Sequence, residues 1–441
     1  MCSAASQRCG RQSGSGSAPN KGIWEGSSLV TGRKIAVIGS GISGLTAGYA
    51  LSRTDRVTLF EADRRLGGHA DTHLVGPVPV DTGFIVYNER TYPLLTRLFA
   101  ELGVSTRGTE MSMSVRCAGC GLNYAGKRGP GGLAAGLRRG GGRFLRLLAD
   151  VPRFHHAARV LLNGDTPGDP TFGEFLDHGG YSSYFQAHFA LPLVAAVWSC
   201  PAGTAQEYPA RYLFAFLANH GMLSVSGSPP WRTVAGGSRC YVERAARRLA
   251  CVRLGVPVRA VRRYPDGAEV RDASGQTHQF DAVVIATHPA QALALLAPAT
   301  RAEREVLGAF RYTPNPALLH TDARLLPDRP GIRAAWNYEL GHCRDGAARV
   351  SYDMNLLQHL PASRNYIVTL NGHGVVDPDQ VISGMDYAHP AYTPESVAAQ
   401  RRLPGLNTPV TAFAGAYHGW GFHEDGCRSG AQAARVLGGT W

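Results

Sequence analysis

Residues 34–61 read KIAVIGSGISGLTAGYALSRTDRVTLFE, a strand, a glycine-rich turn, a helix and a second strand that ends in an acid. Lys34 to Ile38 is a short apolar run of the kind that forms a strand buried on both faces. Gly39, Gly41 and Gly44 supply a tight turn, close approach of the backbone to a pyrophosphate, and close helix–strand packing. Ser40 and Ser43 lie in the same turn. Free N–H groups and the dipole at the helix N-terminus favour a phosphate there by roughly 0.3 to 1 kcal/mol. Glu61 closes the unit about 20 residues on, where a carboxylate can accept both hydroxyls of an adenosine ribose and rejects a 2′-phosphate. A lone GxGxxG says little in a chain with 54 glycines among 441 residues. The flanking strand, the helix and the acid make this one specific for a dinucleotide.

Working outward, EADRRLGGH at 61–69 places Gly67 and Gly68 directly after the second strand. That turn suits a backbone passing beside a second, extended cofactor segment, which nicotinamide folds do not need, so FAD is the expected cofactor. VDTGFIVY at 80–87 reads as a strand with a glycine turn, and TYPLLTRLFAELG at 91–103 as a helix ended by Gly103. Residues 134–220 are helical in pattern, broken by the Pro and Gly cluster at 165–170, and are expected to form a cap. A helix at about 239–249 is followed by two strands, VPVRAVRRY and AEVRDAS, separated by PDG. QFDAVVIATHPAQALALL then returns the chain to a nucleotide-type sheet, with Ala282 to Ala286 as a buried strand. ARVSYDMN and NYIVTLN predict a second sheet. The closing stretch reads as a strand, a Gly-rich turn and a helix from Cys427 to Leu437.

The expected fold class is therefore α/β, a discontinuous Rossmann-type FAD-binding domain with a mixed-sheet and helical substrate domain. Segments 34–90, 232–298 and 404–441 are assigned to cofactor binding, and 91–231 and 299–403 to the substrate side and cap. Residues 1–33, rich in Ser and Gly, read as a disordered leader. No run of 18 apolar residues and no secretory signal is evident, which points to a cytoplasmic protein.

The formal charge is +12, nearly all of it arginine, the lysines being Lys21, Lys34 and Lys127. Met111 to Ala149 contains no acid yet carries Arg116, Lys127, Arg128, Arg138, Arg139, Arg143 and Arg146. It leads into a stretch where Phe144, Leu147, Leu148, Val151 and Phe154 recur at helical spacing. Residues 116–159 are thus either the solvated face of a cap helix or a peripheral contact, with the inner face of a membrane or an acidic carrier protein. No recognition module accompanies the charge, so nucleic acid is not an expected partner. Nine cysteines with irregular spacing do not form a disulfide framework. Cys117 and Cys120 make a CxxC, but no second CxxC or HxxxH pair supplies the remaining zinc ligands, so no metal is expected.

With these segments in hand, the chain resembles the flavin-containing amine oxidase superfamily, which includes protoporphyrinogen oxidase and phytoene desaturase. The resemblance runs over roughly residues 34–438 and rests on GSGISG with Glu61, LGGH, VVIATHP and the C-terminal HEDGCRSG. VDTGFIVYNERTYP, FLANHGMLS, WRTVAGGSRCYV, DYAHPAY and AGAYHGWGFHEDGCRSG are similar to bacterial FAD-binding proteins whose genes commonly lie beside cyclopropane-fatty-acid synthase homologues. The resemblance implies noncovalent FAD and two-electron oxidation of a C–H bond in a lipid, such as a modified or unsaturated fatty acyl chain. It assigns Gly39, Ser40, Gly41, Ser43 and Gly44 to the pyrophosphate, Glu61 to the ribose, and Gly67 and Gly68 to the ribityl chain. Val258 falls to the adenine, and Gly415 with Glu424, Asp425 and Gly426 to the pyrophosphate and flavin edge. His69 stands where many relatives have arginine, and no lysine suits the place where many hold a water against the flavin. The first puts one expected phosphate or ribityl contact in question, with His69 the cofactor-binding residue at that place, and the second weakens oxygen-driven amine oxidation.

For the reacting end, His418, Trp420 and His423 beside the closing turn are candidate catalytic residues, histidine being able to carry a proton near neutral pH. Tyr338 is a further candidate on the substrate sheet, with Asn337, Tyr352 and Asn355, while Trp198 and Trp231 read as core or substrate wall. Asp81 reads as a turn cap. Three functions remain open from the residues: a lipid dehydrogenase or desaturase, a peroxide-producing oxidase of a small amine, and a noncatalytic flavoprotein partner of a lipid methyltransferase.

Overall fold

A computed structural model of the chain describes residues 23–25, 32–126, 130–164, 168–224, 227–329, 331–343, 348–361 and 363–441. Its nucleotide-type sheet is built from four separated parts of the chain. The strand order is Ile23–Glu25, Cys251–Leu254, Arg56–Glu61, Lys34–Ile38, Ala282–Ile285 and Thr411–Phe413, all parallel except the first. Ile35 to Ile38 and Ala282 to Ile285 are buried on both faces, as continuous apolar runs require in a parallel sheet covered by helices. Ile23–Glu25 corrects part of the leader reading, because it pairs antiparallel with Cys251–Leu254 at the sheet edge. The rest of that segment up to residue 31 lies outside the described residues.

The helix Ile42–Leu51 is buried at every residue. It lies under the closing helix His423–Val436, which begins four residues before the expected Cys427 because the Asp425 carboxylate accepts from the Phe422 N–H at 3.1 Å and caps its first turn. Small residues set the distance between these helices. A Cβ on Gly430 would lie 2.2 Å from the Ser43 carbonyl oxygen, and one on Gly44 would lie 2.0 Å from that of Gly39. Only a bare backbone fits at either position.

The second sheet has seven strands in the order Val381–Ala391, Arg311–His320, Ile367–Leu370, Arg349–Asp353, Trp336–Leu340, Met113–Cys117 and Asn123–Gly126. It is antiparallel except where Trp336–Leu340 runs parallel to Met113–Cys117. The acid-free segment therefore opens with a β-hairpin, ahead of the residues read as helical. A small antiparallel sheet, Val258–Tyr264, Gly267–Asp272 and Thr277–Phe280, bridges two strands of the parallel sheet.

Within the cap, Pro130–Asn163 is helical but broken at Gly141, whose φ of 49° is open to glycine. Phe144, Leu147, Val151 and Phe154 are buried, and Phe154 makes edge contacts with Phe172 and Phe214. The apolar stripe read from the sequence is thus the inner face of a cap helix.

Substituting Gly430→Ala should force the two helices apart and lower the thermal midpoint, at a cost of about 1–3 kcal/mol for overpacking a tight contact. Differential scanning calorimetry checks it, and an unshifted midpoint would refute the packing argument.

Candidate active site

A cavity of about 690 Å³ opens at the carboxyl ends of the parallel strands and runs on beneath the seven-stranded sheet. Its first end is the glycine turn. Ser40 is fully buried there, and both its N–H, at 2.8 Å, and its hydroxyl donate to Glu61 Oε2. The Ser40 hydroxyl oxygen in turn accepts from the Gly67 N–H at 3.0 Å. One serine thus ties the first turn, the ribose acid and the second turn into one rigid unit. Among the described residues, Glu61 Oε1 takes only the Asp63 N–H, at 3.0 Å. A carboxylate oxygen can accept more than one bond, so capacity remains for ribose hydroxyls.

Gly67 and Gly68 have φ of 111° and 56°, and a Cβ on Gly68 would sit 3.2 Å from the Gly41 Cα. Gly41 differs from its neighbours. Its backbone (φ −61°, ψ 173°) is open to any residue, and a Cβ there would meet no protein atom within 4 Å. No packing within the described protein requires a bare backbone here, and close approach of a pyrophosphate does. Val258 and Gly415 line the same end, as does Ser43.

Four predicted cofactor residues do not line the cavity: Gly44, which packs against the Gly39 carbonyl, and Glu424, Asp425 and Gly426. Both Glu424 carboxylate oxygens accept from the first turn of Pro93–Glu101, at the Leu94 N–H (3.1 Å) and the Leu95 N–H (3.0 Å). Burial raises its pKa to about 6. Asp425, likewise raised to about 6 by burial, caps its own helix and bonds Arg428 at 2.9 Å. A Cβ on Gly426 would meet the Ile42 Cγ2 at 2.6 Å, so its smallness serves helix packing.

The far end of the cavity is aromatic. The turn Ala416–His418 and the residues after it are pinned through the Gly419 carbonyl, which Tyr212, Tyr392 and the Gln400 amide approach at 2.7, 2.8 and 2.8 Å. That clamp presents Trp420, Phe422 and His423 to the cavity. The Trp198 indole N–H donates to the Trp420 carbonyl at 3.2 Å and the Trp420 indole N–H to that of Tyr212 at 3.2 Å. Trp198 and Trp231 are therefore wall, and Tyr352 lines the cavity with Trp336.

His423 lies flat on Phe84, with ring centroids 3.7 Å apart, and its Nε2 is 3.0 Å from the Tyr241 hydroxyl. Burial lowers its pKa to about 3 and that of His418 to about 4. Both are neutral at pH 7, and His418 does not line the cavity. Tyr338 is buried in the sheet core away from the cavity, its hydroxyl pKa raised by desolvation. Asn337 is consumed by bonds to the Ala334 carbonyl and the Ser114 hydroxyl, and Asn355 by loop carbonyls of Pro361 and Arg364. Asp81 accepts from the Ser238 N–H at 2.9 Å, next to the start of the helix Arg239–Ala246, and caps as expected of it.

Between the two ends stand three histidines, only one of which sequence reasoning selected. His69 packs against Tyr387 and His389 at 5.1 and 5.2 Å and against His288 at 6.2 Å. Tyr387 and His389, two apart on Val381–Ala391, project from the same strand face. Tyr387 donates to Asp71 at 2.9 Å and lies 2.7 Å from the Thr82 hydroxyl, and His389 Nδ1 is 2.6 Å from the Asn315 amide. Burial lowers the pKa of all three histidines, His389 to about 4. His69 Nε2 is buried with no protein partner among the described residues, a polar atom left for a ligand. The alternation in DYAHPAY was the available signal for Tyr387 and His389.

A bare phosphate-binding turn, a ribose acid, a second glycine turn beside it and a long cavity ending in aromatic rings define a dinucleotide-dependent oxidoreductase, and these residues fit FAD. The chain belongs to the flavin-containing amine oxidoreductase family, whose model matches residues 42–321. It is an FAD-dependent enzyme of that family. It is 29% identical over 305 residues to the coproporphyrinogen III oxidase of Mycobacterium tuberculosis H37Rv, covering 64% of this chain and 65% of that one. Among solved structures, it shares its fold with the fatty acid isomerase from P. acnes that produces CLA (TM-score 0.65, 17% identity, 93% of this chain and 100% of that one). It also shares it with cyclohexylamine oxidase from Brevibacterium oxydans IH-35A (TM-score 0.65, 16% identity, 92% and 98%).

Gly41→Val should give a folded, colourless protein, because its Cβ meets no protein atom within 4 Å while the side chain fills space needed by the pyrophosphate. Flavin absorbance and circular dichroism of the purified variant test this together. A yellow variant, or an unfolded one, would contradict it.

Proposed function

We propose that the protein removes two electrons from a C–H bond of a neutral, apolar substrate, a modified or unsaturated fatty acyl chain, as a dehydrogenase or desaturase. The observation that supports this is the uneven placement of charge along the cavity. Apart from histidines, the charged side chains among the described lining residues are Glu61, Asp63 and Arg259. All three belong to the nucleotide end, where the Gly255 and Val256 N–H groups bond the carbonyls of Asp63 and Glu61. The aromatic end, walled by Trp198, Phe216, Trp231, Trp336, Trp420 and Phe422, carries none. An ammonium there would lose several kcal/mol of hydration without a counter-ion. The carboxylates of a coproporphyrinogen would find no arginine. An acyl chain incurs neither cost and gains about 0.8 kcal/mol per buried methylene.

Bound FAD supplies the two-electron acceptor for a hydride. The chain's own residues bind the substrate through the aromatic wall, keep water out and handle the proton. Loss of a hydride from one carbon and a proton from its neighbour leaves a carbon–carbon double bond. Nε2 of His69, neutral and without a protein partner among the described residues, is the proposed acceptor for that proton. Anaerobic mixing with unsaturated or cyclopropane-containing phospholipids should bleach the oxidised flavin, whereas putrescine and coproporphyrinogen III should leave it unchanged. Bleaching by the amine or the porphyrinogen with none by any lipid would sink this reading.

The cap supports a route for such a substrate. Leu133, Leu137 and Leu145 are 38, 40 and 57% exposed, and Arg138, Arg139, Arg143 and Arg146 are exposed alongside them. This outer face suits peripheral docking on anionic headgroups. No helix among the described residues is long and apolar enough to cross a membrane. Each basic residue near such a surface contributes about 1 kcal/mol. Reversing all four arginines to glutamate should therefore weaken co-sedimentation with phosphatidylglycerol vesicles by at least about tenfold. Equal sedimentation of variant and parent would exclude the docking face.

A further inference from the structure

The CxxC that the sequence left without partners acquires two in the fold. Cys117, Cys120, His188 and Cys343 each bring one ligand atom into a group whose members all lie within 4.8 Å of one another. The sequence, with no second CxxC or HxxxH pair, led to an expectation of no metal, and the fold sets two further possible ligands beside the CxxC. His188 stands 68 residues beyond Cys120, and Cys343 stands 226 beyond Cys117. No local spacing pattern could have joined them. We propose that these four residues form a closed, structural zinc site of the Cys3His type, outside the flavin cavity.

Two of the six distances between the ligand atoms already match a tetrahedron around one ion, and all six lie within 4.8 Å. With Zn–S near 2.3 Å and Zn–N near 2.0 Å, neighbouring ligand atoms are expected about 3.5–3.8 Å apart. The Cys117 and Cys343 sulfurs are 3.6 Å apart, and Cys120 Sγ is 3.5 Å from His188 Nε2. A disulfide would need about 2.05 Å.

The support around the ligands is also that of a metal site. His188 Nδ1 lies 2.8 Å from the Tyr184 carbonyl and donates to it, which leaves the Nε2 lone pair facing the thiols. A ligating imidazole is commonly oriented by such a bond. The histidine sits in the π-helical turn Gln186–Ala190, and its carbonyl accepts from the Tyr124 hydroxyl at 2.7 Å. The two hairpin cysteines flank a tight turn in which the Gly121 N–H bonds the Cys117 carbonyl at 2.9 Å and Gly121 adopts φ 71°. The Ala118 N–H bonds the Leu340 carbonyl at 2.9 Å, which holds the hairpin against the strand that leads to Cys343. Four protein ligands leave no position for substrate, and thiolate with imidazole in a tetrahedron selects zinc. The ion would fasten the hairpin, the cap and the end of Trp336–Leu340 to one another.

Inductively coupled plasma mass spectrometry on the FAD-loaded full chain, purified without chelator, should find about one zinc per chain. Cys117→Ser and His188→Ala should each lower that content at least about tenfold, whereas Cys251→Ser, on the parallel sheet, should leave it unchanged. His188→Cys should retain zinc, since four thiolates also hold the ion, which separates ligand loss from misfolding. Cobalt-grown protein should show the visible bands of tetrahedral thiolate coordination. Metal-free wild-type protein with reactive thiols, or a Cys117–Cys343 disulfide found by peptide mass spectrometry, would overturn the assignment.

Discussion

The structure depends on how closely bare backbone can approach bare backbone around the helix Ile42–Leu51. Gly44 lets the helix start against the carbonyl of Gly39, and Gly430 lets the closing helix rest on the carbonyl of Ser43. The N-terminus of the buried helix is held in place by these contacts, so its free N–H groups have a fixed direction. Ser40 then transmits that placement to Glu61 and Gly67 through hydrogen bonds in a dry environment, where each is stronger than in water. A cofactor stretched over both turns is therefore recognised by groups that need no rearrangement.

Distance along the chain explains which parts were legible beforehand. The glycine turn, Glu61 and the Gly67–Gly68 turn are local, and backbone chemistry dictates them within a few residues. The parallel strands were legible because burial on both faces leaves an unbroken apolar run at Ala282–Ile285. The Met113–Cys117 and Asn123–Gly126 hairpin was not, since glycines and arginine interrupt its alternation. Glu424 and Asp425 misled for a related reason. An acid in the first turn of a helix serves capping and cofactor recognition equally well on paper, and only the Leu94 and Leu95 N–H groups decide between them. Tyr387, His389 and the fourfold Cys and His cluster depend on register and topology, which no local spacing encodes.

The histidines illustrate how burial limits chemistry. A solvent-exposed imidazole would titrate near 6.5, but desolvation holds His389 and His418 near 4 and His423 near 3. A charged imidazolium in that setting would lose its hydration to burial, the leading cause of each shift. At pH 7 the histidines in the middle of the cavity are consequently held toward the neutral form. They can pass a proton transiently but cannot act as a fixed counter-ion.

That neutrality joins the two halves of the molecule. The nucleotide end spends its polar groups on a ligand of known charge, with helix N–H groups for phosphate and a carboxylate for sugar hydroxyls. Beyond His69 the walls are rings whose own N–H groups are already bonded to carbonyls, as in Trp198 and Trp420. A substrate entering there is offered shape and dispersion rather than charge. Discrimination by such a wall is worth about 1–3 kcal/mol per methylene, but against a charged competitor the unpaid hydration is larger. On the proposed reading, the selectivity of the cavity would come first from what it refuses to solvate, and only then from what it contacts.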